Sequence, residues 1–234
     1  MDKYLNFNLN LSDEDLESFN RTKSKNEYAY QFIRREILNN RYPEGYKLNE
    51  IAIAGLLKDV SRTPVREAIN RLCYEGFAEM IPGRGICVAG VQFTSLMEIT
   101  ESRIILEPQT VGLFIERAAE KDVQELVGIV AQHRAASEAK DEILCGYYDN
   151  CFHHLIGQGT RNRTLSAMID DLLIRYLRGM TVSNGQSGDF ENDHEEILKK
   201  ILEKDSEAAK ELMRGHFLHV REHLIKMQTK SRVF

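Results

Sequence analysis

The chain has 234 residues and a formal net charge of −5, with 42% hydrophobic and 29% charged residues. This length allows two small domains, and the composition is that of an ordinary soluble protein. No apolar run approaches the ~20 residues that span a bilayer, and no signal-peptide core begins the chain, so we expect a cytoplasmic protein without a membrane partner. The four cysteines lack the C-x-x-C spacing of a thiolate zinc site and suit small core residues in a reducing compartment.

The first residues are acidic. Residues 1–20 contain five Asp or Glu against one Lys and show no sustained periodicity. We therefore predict that residues 1–25 form a mobile acidic tail, with a short helix around Glu14 to Phe19 as the alternative.

Two helices are predicted next. Apolar residues recur at helical spacing from Tyr28 to Asn40, and a turn rich in Pro and Gly follows. A second, shorter helix begins at Asn49 or Glu50 and ends near Leu57. The short link after it leads directly into the segment that begins at Ser61, which is the arrangement of a helix-turn-helix.

Residues 61–72 are the most informative segment. Thr63 can cap a helix N-terminus and Pro64 suits the first helical position, so we predict a helix that begins there. Its apolar residues form one core-facing stripe: Val65, Ala68, Ile69 and Leu72. Arg62 and Arg66 fall on an exposed edge, where guanidinium groups suit phosphates and guanine edges. A DNA recognition helix and a capped surface helix with two solvated arginines both fit this pattern.

A predicted hairpin favours the DNA-binding interpretation. Two short apolar runs, Phe77 to Ile81 and Ile86 to Val91, flank a Pro-Gly-Arg-Gly turn with Arg84 at its tip. Residues 21–90 carry twelve Lys or Arg against eight Asp or Glu, whereas residues 91–234 carry eighteen against twenty-three. The positive charge is local, as expected when one domain binds a polyanion. Residues 26–91 are thus predicted to be a winged helix-turn-helix with a small β-hairpin wing.

The rest of the chain, residues 92–234, shows only helical periodicity. We predict six helical segments that form an all-α antiparallel bundle: residues 93–118, 120–140, 141–158, 162–182, 189–203 and 206–228. The connecting loops are short except for residues 183–188. The fold class is therefore mainly α, with the winged helix-turn-helix before the bundle.

Histidines carry the chemistry of the bundle. Asp149 and His153 lie at i and i+4 on one helix face, and neighbouring helices can bring His194 and His216 to them. Three imidazoles and one carboxylate suit Zn²⁺, Ni²⁺, Mn²⁺ or a related divalent ion. Spacing alone leaves the alternative that each histidine is a hydrogen-bonded core or surface residue.

The winged-helix residues resemble the GntR family of bacterial transcription regulators over residues 28–90. The pattern comprises Pro-Glu-Gly-x-x-Leu, Glu50, Val60 to Ala68, Leu72, Glu75-Gly76 and Gly83-Arg84-Gly85. The resemblance implies operator contacts from six residues: Ser61, Arg62, Thr63, Arg66, Arg84 and Gly85. The helix from Glu50 departs from the family, since it lacks the arginine that many relatives carry at its start and its link to Val60 is one residue longer.

The bundle resembles the FCD effector domain of the FadR branch of this family over residues 93–228. The shared motifs are Arg103-x-x-Leu-Glu-Pro, Asp149-x-x-Phe-His-x-x-Ile, Gly159 to Asn162, His194-x-x-Ile-Leu and the segment from Ala208 to His216. The resemblance implies a metal on Asp149, His153, His194 and His216, and a carboxylate effector. Arg103 is the candidate effector partner, with a salt bridge to Glu107 as its alternative role. Asn162 is expected to cap a helix, and His133, His154, His219 and His223 match no ligand position.

We therefore interpret the chain as a dimeric transcription regulator, more in keeping with a repressor than an activator, and not an enzyme. Its partners are double-stranded operator DNA and a small carboxylate effector bound at the metal site. One alternative is a regulator that senses the metal ion itself. Another is a metal-dependent hydrolase, although Glu195 and Glu196 are the only general-base candidates near the ligands and are explained as favourable charge at a helix N-terminus.

Overall fold

The computed structural model describes residues 24–90, 93–182 and 191–231, together with Leu16 and Asn20. The chain divides into two compact units between residues 91 and 92. Most of the predicted acidic tail and of the helix predicted around Glu14 to Phe19 lies outside the described residues, as does the long loop of residues 183–188. None of the described helices is both long enough and apolar enough to cross a membrane.

In residues 24–90 of the first unit the structure describes these elements: α1 (Lys25–Leu38), α2 (Glu50–Leu56), α3 (Arg62–Tyr74), β1 (Ala78–Ile81) and β2 (Gly85–Val88). Side chains cap the first two helices. Ser24 accepts a hydrogen bond from the backbone N–H of Glu27, and Asn49 accepts from those of Ile51 and Ala52. The cap at Asn49 places the start of α2 at Glu50, four residues after the Pro43–Tyr46 turn.

The α3 helix begins earlier than the sequence predicted. Its first residue is Arg62 and its N-cap is Ser61, whose side chain makes no capping hydrogen bond, so the prediction of Thr63 as the cap is wrong. Pro64 occupies the third helical position instead of the first. This costs no hydrogen bond, because none of the first four N–H groups of a helix has an intrahelical partner. The predicted apolar stripe is fully buried, with Val65, Ala68, Ile69 and Leu72 at 1% exposure or less.

The end of α3 explains the Glu75-Gly76-Phe77 motif. Gly76 has φ of +76°, Phe77 N–H bonds to the carbonyl of Leu72, and Gly76 N–H bonds to that of Cys73. This pair of bonds is a Schellman motif, which favours glycine at the left-handed position. The chain thereby reverses directly into β1.

The chain reverses direction at the tip of the wing through a Pro-Gly turn. Arg84 N–H bonds to the carbonyl of Ile81, with Pro82 and then Gly83, at φ +77°, between them, which is a type II turn. The strands pair antiparallel from Ala78 opposite Val88 to Ile81 opposite Gly85. This geometry leaves Arg84 exposed at the tip of the hairpin.

The second unit is the predicted bundle. Its described helices are α4 (Phe93–Arg117), α5 (Glu120–Glu138), α6 (Glu142–Gly159), α7 (Arg163–Val182), α8 (Glu191–Glu203) and α9 (Ser206–Ser231). The longest helices, α4 and α9, pack against each other, and α6 packs against α4, α5 and α7. Phe114, Phe152 and Phe217 are completely buried in the core between them. The mainly helical fold class, with a small hairpin after a helix-turn-helix, is confirmed.

Candidate metal centre and nucleic-acid interface

The structure brings the four predicted ligands together inside the bundle. Asp149 and His153 come from α6, His194 from the start of α8 and His216 from the middle of α9. One nitrogen or oxygen of each lies within 4.8 Å of the others, and the three imidazoles are at most 1% exposed. The nearest carboxylate contact is 3.4 Å, between Asp149 Oδ1 and His194 Nε2.

Each of the three imidazoles has a partner at its Nδ1 atom. His153 Nδ1 lies 2.5 Å from Glu107 Oε2, and His216 Nδ1 lies 3.3 Å from Asp193 Oδ2. A hydrogen bond at Nδ1 fixes the tautomer that leaves the Nε2 lone pair for a metal. His153 and His194 have their Nε2 atoms 3.8 and 3.4 Å from Asp149. The outer partners therefore orient the rings toward a common point.

Burial favours the neutral form of His153 and His194. It lowers the pKa of His153 and, together with the neighbouring His216, lowers the pKa of His194 well below the usual value. Neutral imidazoles can each offer a lone pair to a cation. The Nε2 atoms of His153 and His194 are buried without a hydrogen-bond partner among the described residues, which costs free energy unless something binds them. The donor set thus fits a divalent ion in the Zn²⁺, Ni²⁺ or Mn²⁺ class.

Glu107 joins this cluster to Arg103. Burial alone would raise the pKa of Glu107, but Arg103 and His153 outweigh burial and lower it to about 2. The carboxylate accepts from Arg103 Nε at 2.6 Å, so the salt bridge that was the alternative role of Arg103 is present. The guanidinium also lies 4.4 Å from the centre of the Phe217 ring. Its Nη2 atom is buried and has no hydrogen-bond partner among the described residues.

Sequence reasoning missed His133 as part of this cluster. Its ring lies on α5, with Nδ1 3.3 Å from Nδ1 of His194. A usable signal existed, because His133 continues the buried stripe of α5 that includes Leu126, Ile129 and Val130. His154, in contrast, points elsewhere and pairs with Asp170 at 2.6 Å.

Asn162 and Glu195, two other residues considered in the sequence analysis, have structural partners in the bundle. Asn162 caps α7, since its side chain accepts from the backbone N–H of Leu165 at 3.1 Å. Glu195 pairs with Arg134 at 3.3 Å across the α5–α8 contact. One of the two general-base candidates of the hydrolase alternative, Glu195, is therefore held in an ion pair with an arginine.

The residues predicted to touch DNA lie on the surface of the first unit. Ser61, Arg62, Thr63 and Arg66 are exposed along the first turns of α3. At the wing, Arg84 is exposed and Gly85 is half-buried with φ of +91°. Arg62 and Arg66 face one acidic residue of α2, Glu50, to which the sequence analysis assigned no role. Glu50 accepts two hydrogen bonds of 3.0 Å from Arg66, one from Nε and one from Nη2.

Comparison with known families identifies both units. Residues 25–88 match the family described as "Bacterial regulatory proteins, gntR family", and residues 98–219, more than half of the chain, match the FCD domain. The chain belongs to the GntR family of bacterial regulators. It is a transcriptional regulator of that family with an FCD domain, and FCD domains bind metal in some members. GntR regulators bind operator DNA and typically dimerise.

Individual GntR relatives agree with this assignment. The Exu regulon transcriptional regulator of Escherichia coli K12 is 27% identical over 210 residues, which cover 79% of this chain and 78% of the relative. The HTH-type transcriptional repressor GlaR of the same strain is 25% identical over 202 residues, covering 81% and 91%. Among solved structures, E. coli McbR/YncC has the same fold, with a TM-score of 0.70, 22% identity and coverage of 87% and 98%.

Proposed function

We propose that the chain is a homodimeric repressor whose affinity for operator DNA is controlled by a small carboxylate bound beside a divalent metal in the bundle. The observation that carries this proposal is a set of buried polar atoms that have no hydrogen-bond partner among the described residues: His153 Nε2, His194 Nε2 and Arg103 Nη2. Atoms of this kind are rare in stable cores, where each costs ~1–3 kcal/mol. A metal and an anion together satisfy all three.

Different residues of the bundle bind the metal and the carboxylate effector in this proposal. Asp149, His153, His194 and His216 hold the metal, which when bound supplies open positions and positive charge for an anionic group. Glu107 links Arg103 to this set of residues, since its Oε1 accepts from Arg103 Nε and its Oε2 accepts from His153 Nδ1. The Nη2 N–H groups of Arg103, which have no hydrogen-bond partner among the described residues, are proposed to donate to a carboxylate oxygen of the effector. Guanidinium groups match carboxylates in geometry and keep their charge when buried.

Control of DNA binding requires a difference in effector affinity between two states of the dimer. An effector that binds one arrangement of the bundle more tightly increases the population of that arrangement. The change in the bundle then alters the placement of the two winged helices on DNA. Two-fold symmetry then requires a palindromic operator with matched half-sites. We propose repression, and not activation, because the relative GlaR is named a transcriptional repressor.

The DNA-reading role is tested with Arg66→Ala in the full chain. Duplexes selected from a random pool by the unaltered protein serve as the operator, and a scrambled duplex serves as non-specific DNA. We expect Arg66→Ala to weaken binding to the selected duplex by tenfold or more and to relax its sequence preference. Arg41→Ala is the matched control, because Arg41 is as exposed as Arg66 (56% and 57%) and also has one glutamate partner. Unchanged operator affinity in Arg66→Ala would remove α3 as the reading helix.

The control of binding is tested by a stepwise titration. The metal-free protein is mixed with Zn²⁺, Ni²⁺ or Mn²⁺ and then with a panel of carboxylic acids, while operator binding is followed at fixed ionic strength. We expect operator affinity to change only when metal and a carboxylate are both present, and Arg103→Gln to lose that response. A full response to metal alone would favour the metal-sensing alternative. Catalytic turnover that disappears in His194→Ala would favour the hydrolase.

A further inference from the structure

Glu50 connects the two helices of the helix-turn-helix at the surface that is proposed to meet DNA. It is the first residue of α2, directly after the cap residue Asn49. Its carboxylate receives Arg66 Nε at 3.0 Å and Arg66 Nη2 at 3.0 Å, whereas Arg62 Nη2 lies farther away at 3.8 Å. Its side chain is 26% exposed, about half as much as that of either arginine.

The contact uses a particular edge of the Arg66 guanidinium. Nε and Nη2 form the side edge of the group, and this edge is occupied by Glu50. Nη1 has no hydrogen-bond partner in the part of the chain that the structure describes, and Nη2 retains a second N–H. These two nitrogens form the outer edge of the planar fork, which can donate two parallel hydrogen bonds to O6 and N7 of guanine.

The carboxylate also stays charged at neutral pH. Hydrogen bonds from Arg66 lower the pKa of Glu50, so its negative charge offsets part of the local positive charge. The attraction of arginines to phosphates is independent of sequence, and an adjacent anion weakens it. Arg62 lies only at the margin of the Glu50 contact and keeps more of its charge available for the backbone.

We propose that Glu50 is a positioning residue that sets the sequence selectivity of the regulator, by fixing Arg66 for outer-edge contact with a guanine and by reducing its attraction to phosphates. The inference rests on the proposed DNA-reading role of Arg66. It assigns a role to the helix that lacks the arginine found in many relatives. In this chain α2 contributes to selectivity through the Glu50 carboxylate.

The test compares binding of the full chain to the selected duplex and to the scrambled duplex over a range of salt concentrations. For Glu50→Gln we expect tighter binding to the scrambled duplex, a salt dependence steeper by up to about one unit, and a selectivity ratio lower by about tenfold. Glu50→Asp keeps the charge but shortens the reach, so its selectivity falls while its non-specific affinity is unchanged. Thermal unfolding of each variant checks that the first unit is folded.

Two controls separate positioning from a general charge effect. Glu67→Gln removes the same charge from the exposed surface of α3, where Glu67 bonds to Asn26 and not to an arginine. It should leave the selectivity ratio unchanged. In an Arg66→Ala background, Glu50→Gln should cause no further loss of selectivity, because it acts through Arg66.

The outcomes distinguish this inference from the function on which it rests. If the unaltered protein prefers no duplex over any other, the proposed function fails. If it is selective but Glu50→Gln and Glu50→Asp keep the full ratio, Glu50 is not a positioning residue. If Glu50→Gln lowers selectivity as much in the Arg66→Ala background as in the unaltered chain, the inference is also overturned, because Glu50 would then act on DNA independently of Arg66.

Discussion

The carboxylate of Glu107 accepts a 2.5 Å hydrogen bond from Nδ1 of His153, and both side chains are buried. The same carboxylate accepts from Nε of Arg103 at 2.6 Å. Glu107 therefore performs two tasks. It compensates a buried guanidinium, and it fixes the histidine tautomer that presents Nε2 to a metal.

Replacing this carboxylate by an amide should weaken both stability and metal binding. Glu107→Gln keeps the size of the side chain but leaves the charge of Arg103 uncompensated, which we expect to cost about 3–5 kcal/mol of unfolding free energy. The amide N–H₂ can also donate to Nδ1 of His153 and move its proton to Nε2. We expect Zn²⁺ affinity to fall about 10–100-fold, measured by competition with a chromophoric chelator, and stability to be measured by urea unfolding.

The control for Glu107→Gln is Glu116→Gln on the same helix. Glu116 is exposed, and its carboxylate lies 3.7 Å from Arg117. Exposed pairs of this kind contribute about 0–1 kcal/mol, so the Zn²⁺ affinity and the unfolding free energy of Glu116→Gln should stay near those of the unaltered chain. Equal effects of the two substitutions would contradict the role given to Glu107.

Metal removal should lower the stability of the bundle. An ion that binds only the folded state adds about 2.7 kcal/mol at one hundred times its dissociation constant, and chelation removes this contribution. We expect the unfolding temperature to fall on treatment with a chelator and to recover when Zn²⁺, Ni²⁺ or Mn²⁺ is added back. His194→Ala should abolish the recovery.

His219→Gln provides the matched control for His194→Ala. His219 lies on α9, one turn from His216, but its side chain is 60% exposed. It is not among the four grouped ligands, so this variant should keep the full metal response. A chelator-insensitive unfolding temperature in the unaltered protein would argue against a structural role for the ion.

The boundaries of the helices were largely predictable, because they depend on local signals. Apolar periodicity and cap residues placed most bundle helices within two or three residues, and the Gly83 turn placed the wing. The start of α3 was misplaced because Thr63 followed by Pro64 matches the sequence signal of a helix start, whereas the helix begins after Ser61 without a side-chain capping hydrogen bond.

The contacts between helices were not predictable from spacing. The grouping of Asp149 and His153 with the distant His194 and His216 came from resemblance to a family, since nothing local links α6 to α8 or α9. The pairing of His133 with His194 and of Glu50 with Arg66 depends on which helix faces meet after folding. Periodicity can show that a residue faces inward, but it does not show which partner it meets there.

Asp193 should support metal binding without being a ligand. Its Oδ2 atom accepts from Nδ1 of His216 at 3.3 Å and from Nδ1 of His219 at 3.0 Å. Burial raises the pKa of Asp193, but these hydrogen bonds outweigh burial and lower it, so the group is a carboxylate. We expect Asp193→Asn to weaken Zn²⁺ binding about tenfold or more, as measured by calorimetric titration. Asp171→Asn, at an exposed ion pair with Arg175 on α7, should bind as the unaltered protein does.

Close packing at Gly159 should make it intolerant of a side chain. A Cβ atom at this position would overlap the ring of Phe114, which is completely buried in the core. We expect Gly159→Ala to destabilise the chain by about 1–3 kcal/mol. Gly128→Ala in α5 is the matched control, because nothing lies within 4 Å of its added methyl group. Alanine is the better helix former by up to about 1 kcal/mol, so urea unfolding should show opposite shifts for the two variants, and a stabilising Gly159→Ala would contradict the packing described between α4 and α6.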